Sequence, residues 1–94
     1  SAWAPEGELV DPPFAGRGID EIHAMVDAVL AHYPAHRFVR TSAVDRHHDV
    51  ARYGWALTAP DGTTALEGVD IADVDADDRL VRVVGWFGPL APEG

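Results

Sequence analysis

The stretch that decides the fold is Thr64–Asp75, which reads T-A-L-E-G-V-D-I-A-D-V-D. Its apolar residues alternate, which predicts a strand near the middle of an antiparallel sheet. One face carries Leu66, Gly68, Asp70, Ala72 and Val74, and the other is dominated by Ala65, Val69 and Ile71. Asp70 is the exception on a mostly apolar face, and a buried carboxylate is costly unless it is paired, hydrogen-bonded or neutral. Asp70 therefore lies either at a rim that faces water or within a functional site.

Composition limits the kind of protein that such a strand can belong to. The chain has 94 residues, so we expect residues 1–94 to form a single domain. Its net charge is -9, from 16 acidic and 7 basic residues, and all the basic residues are arginine. This balance argues against nucleic acid and against anionic membranes as partners. Cysteine is absent, which excludes disulfides, thiolate nucleophiles and thiolate metal sites.

The hydropathy pattern predicts neither a membrane span nor an exported protein. No apolar run approaches the about 20 residues that a spanning helix needs. The first residues also lack the pattern of a signal peptide. We therefore expect a cytoplasmic protein.

The order of predicted elements indicates an α+β fold. Helical spacing of apolar residues predicts one helix over Ile19–Tyr33, ended by Pro34. The predicted strands are Glu8–Val10, His36–Asp45, Asp49–Ala59, Thr63–Asp75 and Arg79–Phe87. The last strands are apolar on both faces, and one helix cannot cover both faces of their sheet. The second face is therefore expected to meet another copy, as a homodimer through the sheet.

Four segments together resemble a known superfamily. They are W-A-P-E-G-E-L-V-D-P-P-F-A-G-R-G-I-D-E-I at 3–22, H-H-D-V-A-R-Y-G-W-A-L at 47–57, A-L-E-G-V-D-I-A-D-V-D at 65–75 and R-L-V-R-V-V-G-W-F at 79–87. Their order and spacing are similar to the strand-loop-helix and closing meander of the nuclear-transport-factor-2-like superfamily. Within it the chain most resembles SnoaL-like domains, relatives of polyketide cyclases and ketosteroid isomerases. The resemblance implies a cone, in which a curved antiparallel sheet wraps helices around an apolar pocket. It also implies that residues 1–94 are an N-terminally incomplete domain, whose usual first helices are absent from this chain, disordered or supplied by something else.

The same resemblance implies two catalytic residues. Asp11 matches the aspartate that shuttles the proton as a base in the isomerases, and Asp70 matches the protonated aspartate of their oxyanion hole. That pair of roles is a known example of two carboxyls held in different protonation states. Phe87 falls where the family has a pocket aromatic, and Val26 falls near the place of a supporting tyrosine. The isomerases' other oxyanion donor is a tyrosine on the first helix, so the resemblance implies an incomplete hydrogen-bond network here.

Each of these residues also has a simpler interpretation. Asp11 precedes proline, and an Asp-Pro pair is common in turns where the side chain bonds nearby backbone amides. Tyr53, Trp55 and Phe87 could line a ligand pocket, or they could be ordinary core or interface aromatics. His47 and His48 are adjacent, and adjacent strand residues point to opposite faces, so we expect no metal site.

Three functions fit these observations. The first is isomerase- or cyclase-type proton transfer on a small apolar carbonyl compound, which needs no cofactor. Asp11 would be its base, Asp70 its acid, and Val26, Tyr53, Trp55 and Phe87 its ligand-binding wall. The second is binding of a small apolar molecule without turnover, and the third is a dimeric interaction domain. The fold hosts all three.

Overall fold

The strand around Asp70 is the longest strand of the computed structural model, which describes residues 2–93. The described residues form an α+β fold of one helix and seven strands. In chain order these are β1 (Trp3–Val10), β2 (Ala15–Arg17), α1 (Ile19–His32), β3 (Arg37–Arg40), β4 (Asp45–His47), β5 (Val50–Thr58), β6 (Thr64–Val74) and β7 (Leu80–Phe87).

All seven strands belong to one sheet, in the order β2-β1-β7-β6-β5-β3, with β4 paired to β5 beside this path. Every pairing is antiparallel except that of β1 with β7, which is parallel. The expected antiparallel α+β sheet is thus confirmed, with one parallel pair that makes it mixed. Parallel neighbours need a long connection, and here the helix and the meander together provide it.

Two strands differ in extent from the sequence-based prediction. β1 begins at Trp3 rather than at Glu8, and its pairing with β7 shifts register between those residues. The long strand expected over His36–Asp45 is divided into β3 and β4. Between them Ser42 Oγ accepts a hydrogen bond from the Gly54 backbone N–H at 2.8 Å, which ties the connecting segment to β5. Local patterning does not reveal such a bond, so it could not predict the break.

The helix packs on the sheet through its first half only. It begins after Gly18, whose φ of 83° favours glycine, and it ends before Pro34 as expected. Ile22 is 2% exposed and forms the core with Leu9, Ala72 and Val83. Farther along the chain, Val26 and Val29 of the helix and Tyr33 just after it line a cavity between the helix and the sheet. The core is thus small and lies at one end of the helix.

A register shift in β7 changes which residues face the helix. Asp73 pairs with Arg82, but the next residue, Val74, pairs with Leu80. Leu80 therefore packs against the core, whereas strict alternation put it on the outer face with Trp86. The outer face exposes Val69, Ile71 and Trp86, of which Trp86 is 62% exposed.

Candidate functional site

A cavity of about 560 Å³ lies between the second half of α1 and the inner face of the sheet. Most of its wall is apolar, with aromatic side chains from β3, β5 and β7. All six residues that the sequence and its resemblance selected line this cavity: Asp11, Val26, Tyr53, Trp55, Asp70 and Phe87. The structure therefore places the two carboxyls together with the four wall residues.

The carboxyls of Asp11 and Asp70 meet above Gly85. Asp70 lies opposite Gly85 in the β6–β7 pair, and Asp11 follows Val10, which lies opposite Val84 in the β1–β7 pair. A β-carbon at Gly85 would collide with Asp11 Oδ1 and would lie 2.9 Å from Asp70 Oδ1. Glycine at this buried position therefore leaves the space in which the two side chains approach each other.

The turn after β1 aims Asp11 into the cavity. Its backbone N–H donates to Phe14 O at 2.8 Å, and Phe14 N–H donates back to Asp11 O at 3.2 Å. The backbone of Asp11 closes this turn, so its carboxyl is free to line the cavity. The simpler interpretation, in which the side chain caps the turn, does not describe this geometry.

Both carboxyls hold protons more tightly than exposed aspartates do. Burial raises the pKa of Asp11 above its usual range. Burial also raises the pKa of Asp70, to about 6; the Tyr53 hydroxyl and the Trp55 indole oppose this rise, while the negative charge of Asp11 adds to it. The pair can therefore hold one proton at mildly acidic pH, which is the state that acid–base chemistry by two carboxyls requires.

Tyr53 supplies a phenol next to Asp70. The two residues lie directly opposite each other in the β5–β6 pair. Burial, and then the charge of Asp70, raise the pKa of Tyr53, so its hydroxyl keeps its proton and donates toward the carboxyl. The phenol that the resemblance places on a first helix thus has a counterpart on β5. The sequence held a signal for it, because counting outward from the Pro60-Asp61-Gly62 turn brings Tyr53 near Asp70.

Trp55 links the acidic end of the cavity to its aromatic wall. Its ring makes edge contacts with Phe38, at 5.8 Å between centroids, and with Phe87, at 5.9 Å. Its Nε1 is buried and has no hydrogen-bond acceptor within bonding distance among residues 2–93. The indole N–H nevertheless lies close enough to the Asp70 carboxyl to favour its ionised form and lower its pKa.

The mouth of the cavity includes residues that sequence reasoning missed. Phe14 and Phe38, which the sequence did not single out, line the cavity beside the expected Phe87, and all three are 42–44% exposed. Arg40 lies on the same inner face of β3 as Phe38, opposite Trp55 in the β3–β5 pair. The sequence pattern gave no sign of Arg40 because β3 was predicted as part of a longer strand without a known partner.

The two adjacent histidines, His47 and His48, lie at the end of β4. β4 ends at His47, and His48 has a φ of 52°, so the two rings turn toward each other with 3.0 Å between their Nδ1 atoms. They were expected to point to opposite faces, which holds only for two residues within one strand. Over the described range 2–93, no three His, Asp or Glu side chains cluster closely enough to hold a metal ion. The same range contains no helix long and apolar enough to cross a bilayer.

Comparison with solved structures shows the same architecture elsewhere. The chain is 33% identical to a candidate isomerase of the SnoaL-like family from Agrobacterium tumefaciens, with a TM-score of 0.83 over 93% of this chain and 74% of that one. A SnoaL-like protein from Burkholderia thailandensis is 15% identical, with a TM-score of 0.72 over 94% and 76% of the two chains. A candidate SnoaL-like polyketide cyclase from Jannaschia is 16% identical, with a TM-score of 0.71 over 90% and 66%. No family model and no curated protein matches the chain.

Proposed function

The chain belongs to the SnoaL-like family, and on that premise we propose that it binds a small apolar carbonyl compound and catalyses proton transfer next to the carbonyl group. The observation that carries this proposal is the meeting of Asp11 and Asp70 above Gly85 inside an apolar cavity. Carboxyls in such a setting can serve as a base and an acid in one reaction. The Agrobacterium relative is described as a candidate isomerase, which agrees with this class of reaction.

Each carboxyl has a separate role in the reaction. The ionised Asp11 takes a proton from the carbon beside the carbonyl, and the electrons of that C–H bond form the carbon–carbon double bond of an enolate. The negative charge moves to the carbonyl oxygen, where the protonated Asp70 donates a hydrogen bond. In an isomerisation, Asp11 then returns its proton to another carbon of the conjugated enolate, so the double bond moves and the protein is unchanged. In a cyclisation, the enolate carbon instead forms a bond to a second carbonyl carbon of the substrate, and Asp11 returns its proton to the resulting alkoxide oxygen. No oxidation or reduction takes place, so the chemistry needs no cofactor.

The wall residues orient the substrate for this step. Val26 and Phe87 line the cavity on its helix and sheet sides, and Trp55 packs against Phe87. An apolar substrate body that contacts them displaces water from the carboxyls, which favours the neutral form of Asp70. Tyr53 keeps its proton and holds the Asp70 carboxyl from the neighbouring strand. Binding and acid–base chemistry are therefore coupled.

One observation favours a second candidate, which is binding without turnover. A pKa of about 6 leaves Asp70 mostly ionised at neutral pH, and an ionised carboxylate cannot donate a hydrogen bond to an enolate. If ligand binding does not raise this pKa further, the cavity holds its ligand without catalysing the reaction. The two candidates differ only in whether a proton leaves carbon.

Deuterium exchange into the methyl group of 2-acetylnaphthalene, followed by NMR in deuterated buffer, tests the proposal. We expect the protein to accelerate exchange, Asp11→Asn to lower the rate by about 10²–10⁴-fold with affinity retained, and Asp70→Asn by about 10²–10³-fold. Asp73→Asn is the matched control, because Asp73 is an exposed carboxylate on the same strand. An Asp11→Asn variant as active as the wild type would refute the role of Asp11 as base. Binding of the ketone without exchange would select the second candidate.

A further inference from the structure

The arginines of this chain divide into two groups. Five of the seven form ion pairs with carboxylates, namely Arg17, Arg46, Arg52, Arg79 and Arg82. Over residues 2–93, Arg37 and Arg40 have no carboxylate within ion-pair distance, although acidic residues outnumber arginines by 16 to 7. Both unpaired arginines lie on the short strand β3.

The register of β3 against β5 places the side chains of these two arginines on opposite faces of the sheet. Arg40 lies opposite Trp55 and Phe38 lies opposite Leu57, so both belong to the inner face and both line the large cavity. Arg37 lies opposite Thr58, and its side chain lines a separate surface depression beside the Pro60–Gly62 turn. Arg40 therefore brings a positive charge to the mouth of a mostly apolar cavity, and Arg37 does not.

Arg40 stands well apart from the two carboxyls. β3 is separated from β6 by β5, and Trp55 lies two residues beyond Tyr53, the partner of Asp70. Strand spacing and rise place the backbones of Arg40 and Asp70 roughly 12 Å apart. Asp11 and Asp70 would repel an anionic group at their own end of the cavity, so the Arg40 end favours an anionic group over theirs.

We propose that the natural ligand carries a carboxylate at the end opposite its reactive carbonyl, and that Arg40 binds this carboxylate at the mouth of the cavity. The inference rests on the proposed function, which it deepens by naming the class of substrate. The planar guanidinium suits a carboxylate because it can donate two parallel hydrogen bonds to it. With the carboxylate at Arg40 and the apolar body along Phe38 and Trp55, the carbonyl points toward Asp70.

Because the protein is strongly acidic, its relative affinity for a neutral and an anionic ligand is a sensitive test of this inference. A chain with a charge of -9 repels anions over most of its surface. Without a specific cation in the cavity, the protein would bind a neutral ketone more tightly than the same ketone with an added carboxylate. The inference requires the reverse order of affinity.

Isothermal titration with two probes measures that order. The probes are 2-acetylnaphthalene, which is neutral, and 6-acetyl-2-naphthoate, which carries a carboxylate at the opposite end of the ring. We expect the wild type to bind the acid more tightly by roughly twofold to fivefold, as for a partly exposed charge pair. The preference should shrink as sodium chloride is added, because salt screens exposed charges.

Arg40→Gln and Arg37→Gln form the matched pair of variants. Each removes one unpaired arginine from β3, so the loss of charge is the same. We expect Arg40→Gln to abolish the preference for the acid and to leave the affinity for 2-acetylnaphthalene unchanged, and Arg37→Gln to keep both.

Several results would overturn the inference. These are a wild type that favours the neutral ketone, equal losses in the two variants, or an Arg40→Gln variant that keeps the acid preference. Because 2-acetylnaphthalene reports on the cavity without Arg40, its binding and exchange separate a failure of this inference from a failure of the proposed function. Binding of neither probe would overturn both.

Discussion

Asp11 and Asp70 reach the same point of the sheet from strands on opposite sides of β7, and the absence of a side chain at Gly85 lets their carboxyls approach. β1 and β6 are both neighbours of β7, so the two carboxyls lie side by side although 58 residues separate them in the chain. The proximity requires both the parallel pairing of β1 with β7 and glycine at position 85.

Gly85→Ala should therefore damage the site more than the fold. The added methyl would collide with the Asp11 carboxyl, and relieving an overpacked contact of this kind typically costs about 1–3 kcal/mol. We expect deuterium exchange to be lost because the carboxyls move apart. Urea unfolding and the exchange assay measure the two effects. In an Asp11→Ala background the stability cost of Gly85→Ala should be smaller, and an unchanged cost would show that the clash is not with Asp11.

The raised pKa of Asp70 predicts how stability depends on pH. The folded state binds this proton more tightly than the unfolded state, where the pKa is about 3.9. The stabilisation of the folded state by the Asp70 proton is therefore complete below pH about 4 and is lost as pH rises through about 6. Relative to wild type, Asp70→Asn should gain about 1–2 kcal/mol in unfolding free energy between pH 4 and pH 7, less than the full shift because the carboxyl is half-buried.

Urea unfolding of the wild type and of Asp70→Asn between about pH 4 and pH 7 tests the sign of this change in unfolding free energy. Backbone hydrogen bonds to Asp61 from Thr63 and to Asp75 from Arg79 lower the pKa of those carboxyls, so their contributions run in the opposite direction. The Asp61 and Asp75 contributions are present in both proteins, so they cancel in the difference in unfolding free energy between wild type and Asp70→Asn. A difference that does not change with pH would show that Asp70 keeps an ordinary pKa in the folded protein.

Tyr53→Phe should raise the pKa of Asp70 further above its usual range. The phenol stabilises the ionised carboxylate, so its removal favours the neutral form. Carbon-13 NMR of the aspartate side chains, titrated by pH, measures this directly. Tyr33→Phe is the control, because Tyr33 also lines the cavity but lies on the helix side and does not shift Asp70. A lower pKa in Tyr53→Phe would contradict the assigned contact.

The two halves of α1 should respond differently to truncation. Ile22 is buried in the core, so Ile22→Ala should destabilise the protein by about 2–5 kcal/mol. Val26, one turn later, faces open cavity and has fewer packed atoms to lose, so Val26→Ala should cost clearly less. Val26→Phe should fill part of the cavity and weaken 2-acetylnaphthalene binding without unfolding the protein. Thermal melts and titrations distinguish these effects, and equal costs for Ile22→Ala and Val26→Ala would argue against an open cavity.

The outer face of the sheet predicts self-association. Val69 lies opposite Trp86 and Ile71 lies opposite Val84, so four apolar side chains form one patch that the helix cannot cover. We expect a homodimer in sedimentation velocity, and a tighter one at higher salt because each chain carries a charge of -9. Val69→Lys should give a monomer with unchanged circular dichroism, whereas Thr64→Lys, at the start of the same strand, should not. A wild type that stays monomeric at all concentrations would contradict this prediction.

By itself the sequence determined the α+β class, the helix over nearly its full length, and the two faces of β6. Helical and strand periodicity report on which side of an element is apolar, and this information is local to each segment. The resemblance to SnoaL-like domains added Asp11 and Asp70 as a pair. Local patterns also identified Tyr53, Trp55 and Phe87 as aromatics of a pocket, a core or an interface. They did not show which residues these side chains contact.

Only the tertiary structure decided how these elements meet. The parallel pairing of β1 with β7 joins segments that are about seventy residues apart in the chain, and the shift in β7 turns Leu80 inward. The register between β3, β5 and β6 places Arg40 at one end of the cavity and Tyr53 beside Asp70. Register between strands depends on the packing of the whole sheet, and a shift of one residue would move each side chain to the other face. The candidate site consists of such cross-strand relationships, and for this reason the chain sequence alone named its residues without arranging them.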